Sequence, residues 1–250
     1  MRNLSIRLLS VVSIGLAIVL AWVFVVWSTT NMDHPIVMLM MPMTVHWNWV
    51  VVIAVFAMWS TMMAAMMLPA ALPVLGAMNR MAADRTQGMT PGSAAYFAAG
   101  HLMVWIGFAA AATLVQWALV GSGAIEPMMI ELRSPVVGGV TLAAAGIFQW
   151  TWLKDACLSR CRAPLGFLLT EWRPGRAGAL VMGVHYGLYC VGCCWALMAL
   201  LFVFGAMNLL AIVALAAIVL LEKIVPYGET VARVIGAALI LCGIWWIAST

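Results

Sequence analysis

Charge is scarce in this chain: of 250 residues only 8% are Lys, Arg, Asp or Glu, 12 of them basic and 8 acidic. A soluble domain carries about 25% charged residues to face water. With 66% of the residues hydrophobic, a water-soluble fold is excluded. Nothing resembles a P-loop, which argues against ATP-driven pumping by this chain and against an enzyme of that class. Tandem repeats, low-complexity tracts and long linkers are missing, and no segment reads as a separate soluble domain.

What is present is a succession of apolar runs broken by charge, proline and glycine. A helix rising 1.5 Å per residue needs about 20 residues to cross a hydrocarbon core of about 30 Å. The runs predict spans near 8–27, 47–68, 95–120, 134–152, 178–204, 207–221 and 230–248. The expected fold class is therefore all-α, a polytopic transmembrane helical bundle of about seven spans in a single domain, 1–250. Arg2 and Arg7 precede the first run as in a secretory signal, but that run ends in Val25, Val26 and Trp27 instead of a small-residue cleavage site, so a retained anchor is expected. The run at 207–221 is short for a crossing, which predicts local bilayer thinning or a re-entrant helix.

Cytoplasmic loops retain an excess of Lys and Arg. With the N-terminus inside, that side receives Arg2, Arg7, Arg80, Arg85, Lys154, Arg160, Arg162, Arg173, Arg176, Lys223 and Arg233, and the other receives Arg133 alone. The asymmetry predicts a cytoplasmic N-terminus and an external C-terminus. It also accounts for the net charge of +4 without a nucleic-acid partner.

Soft donors are concentrated in particular places. Asn31–His46, external in this topology, holds Met32, Asp33, His34, Met38, Met40, Met41, Met43 and His46. Thioethers and imidazoles suit soft or borderline metals such as copper; a methionine-rich segment lying in the interface, with Trp47 and Trp49 as belt residues, fits equally. In the run 178–204, Cys190, Cys193 and Cys194 fall on one helix stripe, Cys194 about 40° and Cys193 about 60° to either side of Cys190. Gly183 and Gly187 on nearly the same side let a neighbouring helix approach closely and place its donors within reach. Cys157 and Cys161 share a face if their stretch is helical. Lys154, Arg160 and Arg162 beside them favour the thiolate, the form that ligates metal.

Depth along the helices groups these donors. His101, His185, Met62 and Met63 fall roughly 10 Å from the cytoplasmic ends, and Cys190 and Cys242 roughly 18 Å. Together with Cys157 and Cys161 below and the Met/His segment above, they predict a ladder of soft donors across the bilayer. Met58, Met62 and Met66 recur at helical spacing, which ordinary packing also produces. His101, His185, Gln116 and Gln149 are polar residues inside spans and so functional candidates by default, although a histidine bonded to a backbone carbonyl is the plainer alternative. Glu222 and Lys223 read as snorkelling residues at a cytoplasmic boundary.

The phrases from Trp59 through Met62, Met63, Met66 and Met67 to Pro69, from Gly146 through Gln149, Lys154, Cys157 and Cys161 to Pro164, and from Tyr189 through Cys190, Cys193, Cys194 and Met198 to Glu222 and Lys223 resemble a bacterial family of predicted metal-binding integral membrane proteins, a domain of unknown function. The resemblance covers roughly residues 50–240. It implies a multi-pass protein of the bacterial inner membrane, a bound metal, and the donors Met63, Met66, Met67, Cys157, Cys161, Cys190, Cys193, Cys194 and Met198. Three functions remain open at this point. Thiolate, thioether and imidazole donors select copper(I), with zinc as the alternative ion, for transport or delivery across or within the membrane, in exchange with a copper chaperone or a larger membrane complex. A thiol–disulfide oxidoreductase would use Cys190, Cys193 and Cys194 against Cys157 and Cys161, although no cysteine lies in an expected outer loop. An accessory subunit of a larger membrane complex would use the 13 Trp and 20 Met for packing.

Overall fold

The computed structural model describes residues 2–83 and 92–249; Arg85, one of the basic residues used for orientation, lies outside them. The chain is helical almost throughout. Its helices are α1 (Arg2–Thr30), α2 (Pro35–Met38), α3 (Trp49–Ala83), α4 (Ser93–Gly121), α5 (Pro135–Phe148), α6 (Trp152–Arg162), α7 (Pro164–Thr170), α8 (Gly175–Ala199), α9 (Leu201–Phe204), α10 (Leu209–Ile224) and α11 (Gly228–Ala248). Among the described residues the only strands are β1 (Ile125–Glu126) and β2 (Glu131–Leu132), an antiparallel pair between α4 and α5 with Ile125 opposite Leu132.

Among the described residues, five helical segments are long and apolar enough to cross a membrane: Leu9–Thr30, Trp49–Met81, Ser93–Gly121, Gly175–Phe204 and Gly228–Ala248. Two expected boundaries change. The second run does not stop at Leu68; α3 continues through Pro69 and Pro73, because the backbone groups freed by a proline are re-satisfied more readily inside a packed apolar bundle than in an exposed helix. The fourth run breaks at Gln149–Thr151, and α6 leaves α5 at 63°. The break has a local cause: the Thr151 hydroxyl accepts from the Lys154 backbone N–H at 3.3 Å and starts a new helix. α10 has 16 residues, about 24 Å at 1.5 Å per residue, and falls short of the others as expected.

Two close helix pairs organise the bundle. α4 packs along α8 and α5 along α11, while α3 packs on α4 and α10, and α6 lies on α8. The α4/α8 contact depends on small residues at its centre. A Cβ on Gly183 would strike the Phe97 carbonyl, and one on Gly187 would lie 2.9 Å from the Val104 side chain. Without side chains at these positions the two backbones approach as closely as small-xxx-small packing allows.

Candidate metal centre

α8 carries Cys190, Cys193 and Cys194 on its inward stripe, and all three are buried. Their thiols follow helix geometry. Cys194 Sγ donates to the Cys190 carbonyl at 2.7 Å and Cys193 Sγ to the same carbonyl at 3.2 Å. The bend between α5 and α6 turns α6 back onto α8, which brings Cys161 within electrostatic reach of Cys193. Cys157 Sγ lies against the backbone of α8, 2.6 Å from where a Cβ of Gly192 would stand. The two cysteine groups, read from sequence as separate layers of a ladder, therefore meet in one cluster.

α4 supplies His101 to the same cluster. The glycine contacts bring its backbone onto α8, its ring packs 5.5 Å from that of Tyr186, and it lies within electrostatic reach of Cys193 and Lys223. The side chain is fully buried, and neither ring nitrogen has a hydrogen-bond partner among the described residues. The backbone of Met67, on α3, approaches the ring without closing a bond of normal geometry. A buried imidazole with two bare nitrogens is costly. It is the arrangement that a ligand to nitrogen would relieve.

The cations are placed differently from the expectation. Lys223, at the end of α10, is buried, and its Nζ donates to Cys190 Sγ at 2.8 Å. Glu222 is buried too; its Oε2 accepts from Lys154 Nζ at 2.6 Å and its Oε1 from Gln149 Nε2 at 2.9 Å. These residues form part of the polar interior, so the boundary role expected of Glu222 and Lys223 is corrected. One lysine side chain separates the end of α10 from the middle of α8. Lys154 is spent on Glu222, Arg160 bonds Thr170, and Arg162 bonds the Val225 and Pro226 carbonyls. None of the three cations pairs with Cys157 or Cys161, contrary to the expectation that they hold those thiols as thiolates.

The remaining expected donors divide. Met63, Met66 and Met67 are buried on α3, and Met198 is buried at the end of α8. His185 is half-exposed, with its Nδ1 2.9 Å from Glu171 Oε2. Cys242 is on α11, which packs against α5 and α10. Sequence reasoning gave Lys154 and Lys223 other roles and missed Tyr186, whose hydroxyl donates to the Cys161 carbonyl at 3.3 Å. The signal for the lysines was their occurrence in or beside apolar runs, where a charge needs a partner.

Among the described residues no three His, Cys, Asp or Glu side chains are arranged to enclose an ion. The donor set instead fits a low-coordinate soft ion. Buried thiols and an imidazole lie beside a methionine-lined helix, and such donors suit copper(I) better than hard cations. The sequence profile of a family described as PpoB2, copper chaperone, matches residues 56–246. No curated protein and no solved structure matches the chain.

Proposed function

The chain belongs to the PpoB2 copper-chaperone family, and from that premise we propose that it is an inner-membrane protein that holds copper(I) in low coordination on the buried thiols of Cys190 and Cys193, with His101 beside them, and passes it on. Cys161, near Cys193 across the α6/α8 interface, takes the ion next as it moves toward α6. The observation that carries this reading is His101: a fully buried imidazole with both nitrogens unpartnered, packed by α4 against the thiols of α8. Two thiolates around a monovalent ion leave one negative charge to be balanced in the interior, and the Lys223 ammonium beside Cys190 balances it, so the pair of thiols with Lys223 suits copper(I). Met63, Met66, Met67 and Met198 supply thioethers on the buried faces of α3 and α8, and the partner is a protein that donates or accepts the same ion.

A second reading has one observation in its favour. Cys161 and Cys193 lie near each other across α6 and α8, as the two halves of a redox-active pair would. The same experiment separates the readings. Copper content and competition against a chromophoric copper(I) chelator are measured on the purified full chain, the Cys190→Ser/Cys193→Ser/Cys194→Ser variant and His101→Leu. The copper reading expects a stoichiometric ion in the native chain, its loss from the triple variant and at least tenfold weaker retention in His101→Leu. A metal-free native protein with a reducible Cys161–Cys193 disulfide would replace it with the redox reading.

A further inference from the structure

The loop between α1 and α3 and the loop carrying β1 and β2 are far apart in sequence but meet at one end of the bundle. There Met32, Asp33, Met38, Met41, Pro42, Met43 and Met128 line a cavity of about 240 Å³. Five of these seven residues are methionines. The segment 31–46 precedes the part of the chain that the copper-chaperone profile matches, and Met128 comes from the other loop.

Ordinary packing does not account for this cluster. Met41 is buried and forms the floor, but Met38, Met43 and Met128 are 56%, 63% and 45% exposed. Three large flexible side chains thus rim an open pocket and cover no core. Asp33 is exposed among them, and its carboxylate has no hydrogen bond or ion pair with the described residues. His34, which the sequence also offered as a donor, is already engaged: its Nδ1 accepts from the Ile36 backbone N–H at 3.3 Å and its ring packs 5.0 Å from Trp27.

We infer that this cavity is a second, separate metal site, a thioether cup that captures a soft monovalent cation, copper(I) or silver(I), before it reaches the thiols. Thioethers are neutral and soft, so they discriminate against hard cations and against zinc. A monovalent ion held by them keeps one positive charge, and the single carboxylate of Asp33 balances it. No proton is released on binding, because thioethers have none to lose. A thiolate site must deprotonate to load and weakens as pH falls, whereas the cup keeps its affinity into mildly acidic solution. Neutral donors that hold an ion without anchoring it suit an entry position. The choice of cation rests on the copper reading above, but the site itself does not require the cysteine cluster.

The test uses silver(I), which is redox-inert, titrated into the purified full chain carrying methyl-labelled methionine and followed by NMR and calorimetry. The native chain is compared with Met38→Leu/Met43→Leu/Met128→Leu and with Cys190→Ser/Cys193→Ser/Cys194→Ser, at neutral pH and at about pH 5. The expected result is one equivalent of silver that shifts the cup methionine methyls, persists at the lower pH and survives in the cysteine variant, but binds at least tenfold more weakly in the methionine variant. Unchanged silver stoichiometry and affinity in the methionine variant, or loss of the methyl shifts in the cysteine variant, would overturn the proposal. Should the triple methionine variant not fold, Met43→Leu alone, at the most exposed of the rim positions, must still weaken the shifting equivalent. A native chain that binds silver at the cup but no copper at the thiols would remove the chaperone reading and leave this site standing.

Discussion

A copper(I) ion held by two thiolates has a formal charge of minus one, and in an apolar interior that charge has to be matched. Lys223 Nζ, 2.8 Å from Cys190 Sγ, supplies one positive charge at the right place, while Lys154 and Glu222 neutralise each other beside it. Lys223→Met is therefore expected to weaken copper(I) binding about 10- to 100-fold, as loss of a group supporting a ligand does elsewhere. Lys223→Arg keeps the charge and should retain most of the affinity; competition against a copper(I) chelator measures both. The neighbouring ion pair behaves differently. Lys154 is fully buried, and Lys154→Met leaves Glu222 as an uncompensated charge, at a cost of about 3–5 kcal/mol. Removing both charges in Lys154→Met/Glu222→Gln should recover part of that loss, which thermal melting of the detergent-solubilised protein will show. A double variant no more stable than Lys154→Met would mean that the pair is not what holds α6 to α10.

At the scale of helices, the site depends on how closely α4 approaches α8. Gly183→Ala sets a methyl group against the Phe97 carbonyl, a backbone atom that cannot swing aside, so the helices must separate. The expected cost is about 1–3 kcal/mol, with weaker copper retention because His101 moves away from the thiols. Gly107, with open space around the position of a Cβ, is the control: Gly107→Ala should melt and bind copper like the native chain. The small-residue stripe of α8 was legible in the sequence, as were the apolar runs, because both depend on local composition. Two features were not. Hydrophobicity continues across Gln149–Thr151 through Trp150 and Trp152, so the bend that turns α6 onto α8 leaves no trace in the apolar pattern; the Thr151 cap alone marks it. The partners of Glu222 and Lys223 come from the α5/α6 bend, α6 and α8, and a residue's neighbours across a helix interface cannot be read from its own run. Depth counting placed Cys190 near the midplane and Lys223 at the boundary, yet the two touch, because the long lysine side chain spans the difference that counting along the backbone alone assigns.

For the molecule as a whole, the topology turns on α10, whose 16 residues are few for a crossing. Three contacts indicate that it runs from one end of the bundle to the other. At its start, the Met207 backbone N–H donates to the carbonyl of Met129 at 3.3 Å, in the hairpin loop that joins α4 to α5. At its finish, Arg162, the last residue of α6, bonds the carbonyls of Val225 and Pro226 in the turn into α11. α11 then returns antiparallel to α5: Gly236 lies against Gln149 and Trp150 just past the end of α5, and Gly243 against Gly139 near its start. The C-terminus of α11 is thereby carried back to the hairpin end, the end that also receives the C-termini of α1 and α4. With the basic residues setting the N-terminus inside, reporter fusions after Asn31, Gly121 and Ser249 should all be external, and a fusion after Gly175 cytoplasmic. The first two test the orientation and the third tests α10. A cytoplasmic reporter after Ser249, with the others as expected, would make α10 a re-entrant helix and would place α11 in the opposite sense from the one its glycine contacts with α5 require. In that arrangement the contact between Gly243 and Gly139 would not form, and Gly243→Leu should leave the melting temperature unchanged; in the crossing arrangement it forces α11 from α5 and lowers the melting temperature.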